Sequence, residues 1–170
     1  LHREADGYIK SFNIDQKEEY LEFLSKYNFV VLKILSEEEA DETVADIFEE
    51  VAPKVDINDP TTWENEFWPK NDRYLVGYAL TQHAFGNRTH PNLHSAFANI
   101  FGTDDLVTMI DRWGIMRPSK DRPDWKWQLE PHVDVNPWKY VEELKKGYPK
   151  VYQGVLSLVD SYDSWCTTGG

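Results

Sequence analysis

From residue 151 to residue 159 the chain reads Val-Tyr-Gln-Gly-Val-Leu-Ser-Leu-Val, an alternation typical of a β-strand. Successive side chains of a strand point to opposite faces. One face would then carry Val151, Gln153, Val155, Ser157 and Val159. The other face would carry Tyr152, Leu156 and Leu158. We therefore predict a strand over 151–159, the clearest strand in the chain.

The segments before this strand change in character along the sequence. Further strands are predicted at 106–116, which Pro118 ends, and at 125–129. Upstream, apolar residues at helical spacing predict helices over 15–27, 36–51 and 89–101. Asn28 and Gly102 suit the left-handed helix end, and Ser36 with Glu39 forms a capping box. Shorter elements are predicted at 29–34 as a strand, at 58–60 as a brief helix start, at 72–80 as a strand or irregular segment, and at 137–146 as a helix or loop.

This order, with helices first and strands last, predicts a mainly β, α+β fold, or a β-sandwich with helical additions. A length of 170 residues predicts one domain or a piece of one. We expect a helix-rich part over 1–102 and a strand-rich part over 103–170. Five aromatic residues are expected to pack in the core or in loops rather than to enclose a substrate: Trp63, Phe67, Trp68, Trp125 and Trp127.

The charge distribution excludes several classes of function. Asp and Glu number 30 and Lys and Arg 18, which gives a net charge of −12, and the whole excess lies in residues 1–66. A nucleic-acid-binding protein would show a basic face, so we expect that this chain binds no nucleic acid.

No apolar run is long enough to span a membrane, and no signal peptide is visible, so we expect an intracellular, cytoplasmic protein. The single Cys excludes an internal disulfide, and the oligomeric state is not indicated.

His132 and Asp134 form the most informative motif. They follow a Trp-rich apolar segment and precede a turn at Asn136-Pro137. On a strand, side chains two apart share a face, so an imidazole and a carboxylate would offer two adjacent ligands to one cation. With a distant His, these ligands make the facial triad of non-haem Fe(II) oxygenases. The alternative is an ordinary surface His beside an Asp.

Three stretches in order resemble the phytanoyl-CoA dioxygenase family. They are Asn28-Phe29-Val30-Val31-Leu32-Lys33 with Leu35-Ser36-Glu37, His132-Val133-Asp134-Val135-Asn136-Pro137-Trp138, and Val151-Tyr152-Gln153-Gly154-Val155 continuing to Asp160. The closing Thr167-Thr168-Gly169-Gly170 is similar to the turn before the family's next strand. The resemblance implies a double-stranded β-helix, the cupin-like jelly roll. It also implies an Fe(II)- and 2-oxoglutarate-dependent dioxygenase that uses O2, with ascorbate as a reductant, and hydroxylates a small-molecule or lipid substrate.

The resemblance assigns the metal ligands to His132 and Asp134. The family's third ligand, a His, and the Arg that pairs with the cosubstrate would lie beyond Gly170, so we expect a truncated jelly roll. Arg112 and Arg117 precede the motif as candidates for a cosubstrate carboxylate, Gln153 and Ser157 as inward polar groups, and Trp138 as a wall of the substrate pocket. Two alternatives remain open: a catalytically inactive jelly-roll relative that acts as a binding or scaffolding module, and a cupin-like enzyme that uses another divalent metal.

Overall fold

The computed structural model describes residues 3–70, 75–78, 80–126, 134–148 and 150–160. This part of the chain contains five α-helices and two pairs of short strands, one parallel and one antiparallel. The elements in order are β1 (Ser11–Phe12), α1 (Lys17–Tyr27), β2 (Val31–Leu32), α2 (Glu37–Val51), a 3-10 helix (Pro60–Trp63), β3 (Leu75–Tyr78), α3 (Gln82–Arg88), α4 (Pro91–Phe101), β4 (Arg112–Gly114), a second 3-10 helix (Pro123–Trp125) and α5 (Pro137–Lys145). Strand β1 pairs with β2 in parallel, and β3 pairs with β4 antiparallel.

The first core lies between α1 and the β1–β2 pair. Phe12, Tyr20 and Phe23 are buried there, and Phe23 meets Phe12 edge-on at a ring distance of 5.3 Å. The predicted left-handed end of α1 is confirmed, since Asn28 has φ 60° and its N–H bonds the carbonyl of Leu24. The β2 pairing covers only part of the strand predicted over 29–34.

Helix α2 begins with the predicted capping box, which is confirmed. The Ser36 side chain accepts a hydrogen bond from the Glu39 N–H, and the Glu39 carboxylate accepts one from the Ser36 N–H at 2.7 Å. The Ser36 backbone N–H and then its hydroxyl lower the pKa of Glu39, since both bonds stabilise the carboxylate. The capping box thus supplies an acceptor to the Glu39 N–H, which has no partner within the helix itself.

Helix α4 also agrees with its sequence signals. It spans Pro91–Phe101, and Gly102 follows it in the left-handed conformation with φ 71°. The Asn99 side-chain amide donates to the Tyr20 hydroxyl at 2.7 Å, which fastens α4 to the buried side chain of α1. None of the helices in the described ranges is both long and apolar enough to cross a membrane.

The strand predictions over 106–116 and 151–159 are wrong for most of their described length. Only Arg112–Gly114 is a strand in the first, and the described residues 151–160 contain none, with Val155 85% exposed. An alternating pattern favours extended backbone, but a strand also needs a neighbour for its hydrogen bonds. Of the strand predicted at 125–129, Trp125 ends a 3-10 helix that Pro123 starts, and 127–129 lie outside the described residues. The jelly roll stays a prediction.

The capping box gives a direct stability test. Ser36→Ala removes the side-chain acceptor and one partner of Glu39, so we expect the free energy of unfolding to fall by about 1 kcal/mol. Ser25→Ala, at an exposed position inside α1, is the matched control and should leave stability unchanged or slightly raised. Urea unfolding followed by circular dichroism makes the comparison. Equal effects of the two substitutions would contradict the role given to the capping box.

Candidate functional site

Two of the predicted site residues lie side by side. The Gln153 side-chain amide donates a hydrogen bond to the Asp134 carboxylate, although the two residues are 19 positions apart. Both side chains are exposed, so water and small solutes can reach the pair. His132 lies outside the described residues, and its convergence with Asp134 stays a prediction.

Side-chain hydrogen bonds stabilise the backbone that follows Asp134 and the backbone that precedes Gln153. Beyond Asp134, the Asn136 side chain caps α5 by accepting hydrogen bonds from the N–H groups of Trp138 and Lys139. The hydroxyl of Tyr140 in α5 accepts a hydrogen bond from the N–H of Val151 at 3.0 Å. The second contact joins α5, which follows Asp134 in the chain, to the segment that carries Gln153.

The segment 151–160 keeps the two faces that its sequence predicts, without a strand. Its odd-numbered residues are exposed, whereas Tyr152, Leu156 and Leu158 are half-buried. Tyr152 meets the ring of Phe101 edge-on at 5.7 Å, and a Cβ added to Gly154 would lie 3.2 Å from the Phe97 ring. The contact with α4 therefore leaves little room for a larger residue than glycine at position 154 and turns Gln153 outward. Ser157 is exposed too, and its hydroxyl donates to the carbonyl of Val159 at 3.0 Å.

Three upstream histidines have partners away from Asp134. His83 faces Glu42 and Asp46, His90 faces Glu39, and His94 approaches the carbonyl of Asp104. In the described ranges, no group of three or more His, Cys, Asp or Glu side chains is arranged to hold a metal ion. An accessible carboxylate such as that of Asp134 fits one position of a facial triad, and the other two require imidazoles. The described residues therefore supply one ligand of the predicted set.

Arg117 lies in a stack of aromatic rings. Its guanidinium carbon is 4.7 Å from the centre of the Trp68 ring and 4.6 Å from that of Trp125. Its Nη atoms donate to the Trp63 carbonyl at 2.6 Å and to the Asn65 side-chain oxygen at 2.8 Å. Burial lowers the pKa of Arg117, because the rings remove water from the charged group. In this position Arg117 links two loops, and the packing role predicted for Trp68 and Trp125 is confirmed, whereas Trp127 lies outside the described residues.

Arg122 extends the same stack. Its guanidinium carbon lies 4.0 Å from the centre of the Trp125 ring, and it forms two-pronged bonds to the carboxylates of Glu64 and Asp124. The hydrogen bonds with Arg122 lower the pKa of both carboxyl groups and raise that of Arg122 itself. The Glu64 pair joins residues 58 positions apart. Sequence analysis did not identify this pair, because nothing local marks two charges as partners across such a distance.

The candidate residues Arg112 and Trp138 are more exposed to solvent than Arg117 is. Arg112, in β4, is exposed, and its backbone N–H donates to the Asp111 side chain at 2.7 Å. Trp138, at the start of α5, is 81% exposed. The described residues thus do not enclose Trp138 in a pocket, because most of its indole faces solvent. A cavity of about 420 Å³ lies elsewhere, between the loop at Trp63 and Glu64 and the loop at Pro118–Trp125.

The chain is similar in sequence to proteins from two organisms. One is a protein of Dictyostelium discoideum named "Putative phytanoyl-CoA dioxygenase", 26% identical over an alignment of 222 positions, gaps included, that covers 97% of this chain and 63% of the relative. The other is "Ava biosynthesis cluster protein O" of Aspergillus versicolor, 35% identical over 85 residues, or 48% of this chain and 27% of the relative. The chain thus spans less than two thirds of the length of either relative.

No family model matches the chain, and no solved structure matches it. The relation to the Dictyostelium protein extends over nearly the whole chain, so it includes both the helical part and the segments around Asp134 and Gln153. The comparisons therefore connect the chain with a protein named as an oxygenase, and they leave its substrate undetermined.

The Arg122 pair makes the loop contact sensitive to acid. The pKa of Glu64 is lowered below its ordinary 4.5 in the folded chain. The stability from this pair is therefore present above about pH 4.5 and is lost as the pH falls through the folded-state value. We expect Glu64→Gln to flatten the decrease in thermal unfolding temperature between about pH 5 and pH 3, as measured by Trp fluorescence.

Glu66→Gln is the matched control, because Glu66 is an exposed carboxylate two residues away. It should retain the acid dependence of the unmodified chain. An equally flat profile for both variants would show that total charge, rather than the Glu64–Arg122 pair, sets the acid response.

Proposed function

We propose that this chain is part of an Fe(II)- and 2-oxoglutarate-dependent dioxygenase of the phytanoyl-CoA dioxygenase type, which acts on a small-molecule or lipid substrate. The observation that carries the proposal is the similarity to the Dictyostelium protein over 97% of the chain. The contact between Asp134 and Gln153 supports it, since it gives an accessible carboxylate a fixed orientation. The finer assignments rest on the resemblance of the His132–Trp138 segment to the family's metal-binding loop.

In this proposal His132 and Asp134 supply an imidazole and a carboxylate to the metal. Gln153 acts as a positioning residue, because its amide restrains rotation of the Asp134 carboxylate. Bound Fe(II), with O2 as the oxidant and 2-oxoglutarate oxidised to succinate and CO2, would supply the chemistry that hydroxylates a C–H bond. The protein's part is to hold the ligands and to keep the site open to the substrate.

The two candidate arginines differ in their suitability for the cosubstrate. Both Nη atoms of Arg117 have protein acceptors, and its guanidinium lies between Trp68 and Trp125. Releasing Arg117 for a carboxylate would break those contacts. Arg112 is exposed at the β3–β4 pair and has no such cost. Of the two, we therefore favour Arg112 as a contact for 2-oxoglutarate.

Metal binding by the 170-residue chain tests the proposal. We expect Asp134→Asn to weaken Fe(II) binding at least about tenfold, since it removes a charged ligand, and Gln153→Leu to weaken it less than that, as a positioning residue. Asp105→Asn, at an exposed carboxylate of the 102–111 loop, is the matched control and should bind as the unmodified chain does. Anaerobic calorimetric titration with Fe(II), with and without 2-oxoglutarate, gives the affinities. Equal affinities for Asp134→Asn and Asp105→Asn would contradict the proposal and favour a non-catalytic binding module.

Succinate formation then tests the ligand count. Because His83, His90 and His94 have partners elsewhere, we expect the chain alone to form no more succinate from 2-oxoglutarate than its Asp134→Asn variant does, in the presence of Fe(II) and ascorbate. Robust succinate formation that His132→Ala abolishes would show that an upstream His completes the site. It would overturn the proposed arrangement of ligands while leaving the class of enzyme intact.

A further inference from the structure

Helix α5 presents an apolar face to solvent. Trp138 and Val141 are three positions apart, so they share one face of the helix, and both are exposed, Trp138 to 81%. Tyr140 and Leu144 lie on the other face and are half-buried, so α5 packs on the rest of the chain through that face. A tryptophan is usually well buried, because its large indole gains much from leaving water. The face around Trp138 is therefore a candidate contact for something outside the chain.

The turn after α5 adds a second exposed aromatic side chain. Gly147 follows the helix in the left-handed conformation with φ 87°, and the Tyr148 N–H donates to the Glu143 carbonyl at 3.1 Å. These bonds hold Tyr148 beside the last turn of the helix, and its ring is exposed. Trp and Tyr favour the zone between water and lipid acyl chains, because each has an apolar ring and a polar group.

Lysines accompany this apolar surface. Residues 135–151 contain four Lys and two Glu, a net charge of +2 in a chain whose total is −12. Lys139 has an acidic partner, since its Nζ lies 3.6 Å from Glu143 Oε1. Lys145, Lys146 and Lys150 are exposed, and none of them forms an ion pair within the described ranges. The stretch therefore offers positive charge next to its exposed aromatic rings.

Aromatic rings flanked by lysines match the surface of an anionic lipid bilayer. A helix that lies in such a surface places Trp and aliphatic side chains among the headgroups and keeps Lys beside them. The Lys145 side chain has a long apolar stem, so its ammonium can reach a headgroup while Trp138 enters the bilayer. A second copy of the chain is a poorer occupant of this face, because it would bring like-charged lysines together.

We propose that α5 and the turn after it dock the chain on an anionic lipid surface. Trp138, Val141 and Tyr148 enter the headgroup region, and Lys145 and Lys146 bind the phosphate and carboxylate groups of the lipids.

Docking through α5 also brings the candidate metal ligand to the lipid surface. Asp134 lies three positions before the first residue of α5. If the chain is part of the proposed dioxygenase, on which this step rests, its substrate is a lipid taken from that surface rather than a solute.

Co-sedimentation with phosphatidylcholine vesicles, with and without phosphatidylserine, tests the docking. We expect the 170-residue chain to bind the vesicles that contain phosphatidylserine and to leave them at high salt. Replacing both Lys145 and Lys146 by Gln should weaken binding at least about tenfold, since each lysine is attracted to the anionic surface. The matched control replaces Lys17 and Lys54, which are exposed elsewhere, by Gln and should weaken binding far less.

Fluorescence with brominated acyl chains, which quench a nearby tryptophan, gives the second measurement. We expect the bound chain to be quenched, and Trp138→Phe to bind with less quenching, because it keeps an aromatic ring but removes the indole at the bilayer. Trp138→Ser should weaken binding at least about tenfold, because it removes the largest apolar group of the face.

Equal binding to the two kinds of vesicle, equal effects of the two lysine pairs, or unchanged quenching in Trp138→Phe would overturn the docking. So would a dimer in solution that Trp138→Ser disrupts, if the chain does not bind vesicles, because α5 would then meet a second copy. The vesicle assay contains no Fe(II), so its failure would leave the metal proposal standing. Conversely, Fe(II) binding that does not depend on Asp134 would leave the docking intact and remove only the assignment of a lipid substrate.

Discussion

A buried hydrogen bond between Thr43 and Asn87 holds α2 against α3, and α3 leads directly into α4. Thr43 is fully buried and Asn87 is 9% exposed. The Thr43 hydroxyl accepts from the Asn87 amide at 3.0 Å and donates to the Glu39 carbonyl at 2.7 Å. A buried amide without a partner costs about 1–3 kcal/mol, so few other relative positions of the two helices are stable. The His90–Glu39 and His83–Asp46 contacts on either side of this hydrogen bond are partly exposed to solvent and contribute less.

The helical scaffold reaches the candidate site through α4. Helix α4 follows α3 directly, and its far end presents Phe97 and Phe101 to the segment 151–160. Tyr152 and Gly154 pack on these rings, and Gln153 between them turns outward to Asp134. The position of a candidate metal ligand is thus determined by aromatic packing on a helix and not by a sheet ladder in the described part of the chain.

Local signals in the sequence predicted the elements that are stabilised locally. The Ser36–Glu39 capping box, the left-handed Asn28 and the Gly102 helix end each involve residues within a turn of one another, and each is confirmed. Helix α3 was missed: it has only seven residues, includes Gly86, and owes its position to Asn87. Its one local signal is Thr81, whose side chain accepts from the Ala84 N–H.

In the candidate site, too, local features were predicted and contacts between distant residues were not. The alternation over 151–159 predicted two faces correctly, but a strand depends on a distant partner that no local pattern reveals. The pairing of Asp134 with Gln153 and the stack of Arg117 on Trp68 and Trp125 join residues far apart in the chain. Sequence analysis named all five of these residues as candidates or packing groups without placing them, because their contacts arise only when the helices and loops have assembled.

Native-state hydrogen exchange of Thr43→Val tests most directly whether the α2–α3 contact organises the helical scaffold. Valine keeps the shape of threonine but leaves the Asn87 amide unpaired. The account predicts that amides in α2, α3 and α4 lose protection together, by an equal free energy of about 1–3 kcal/mol, whereas Thr43→Ser, which keeps the hydroxyl, loses less. Loss of protection confined to α3, or equal effects of the two substitutions, would contradict it.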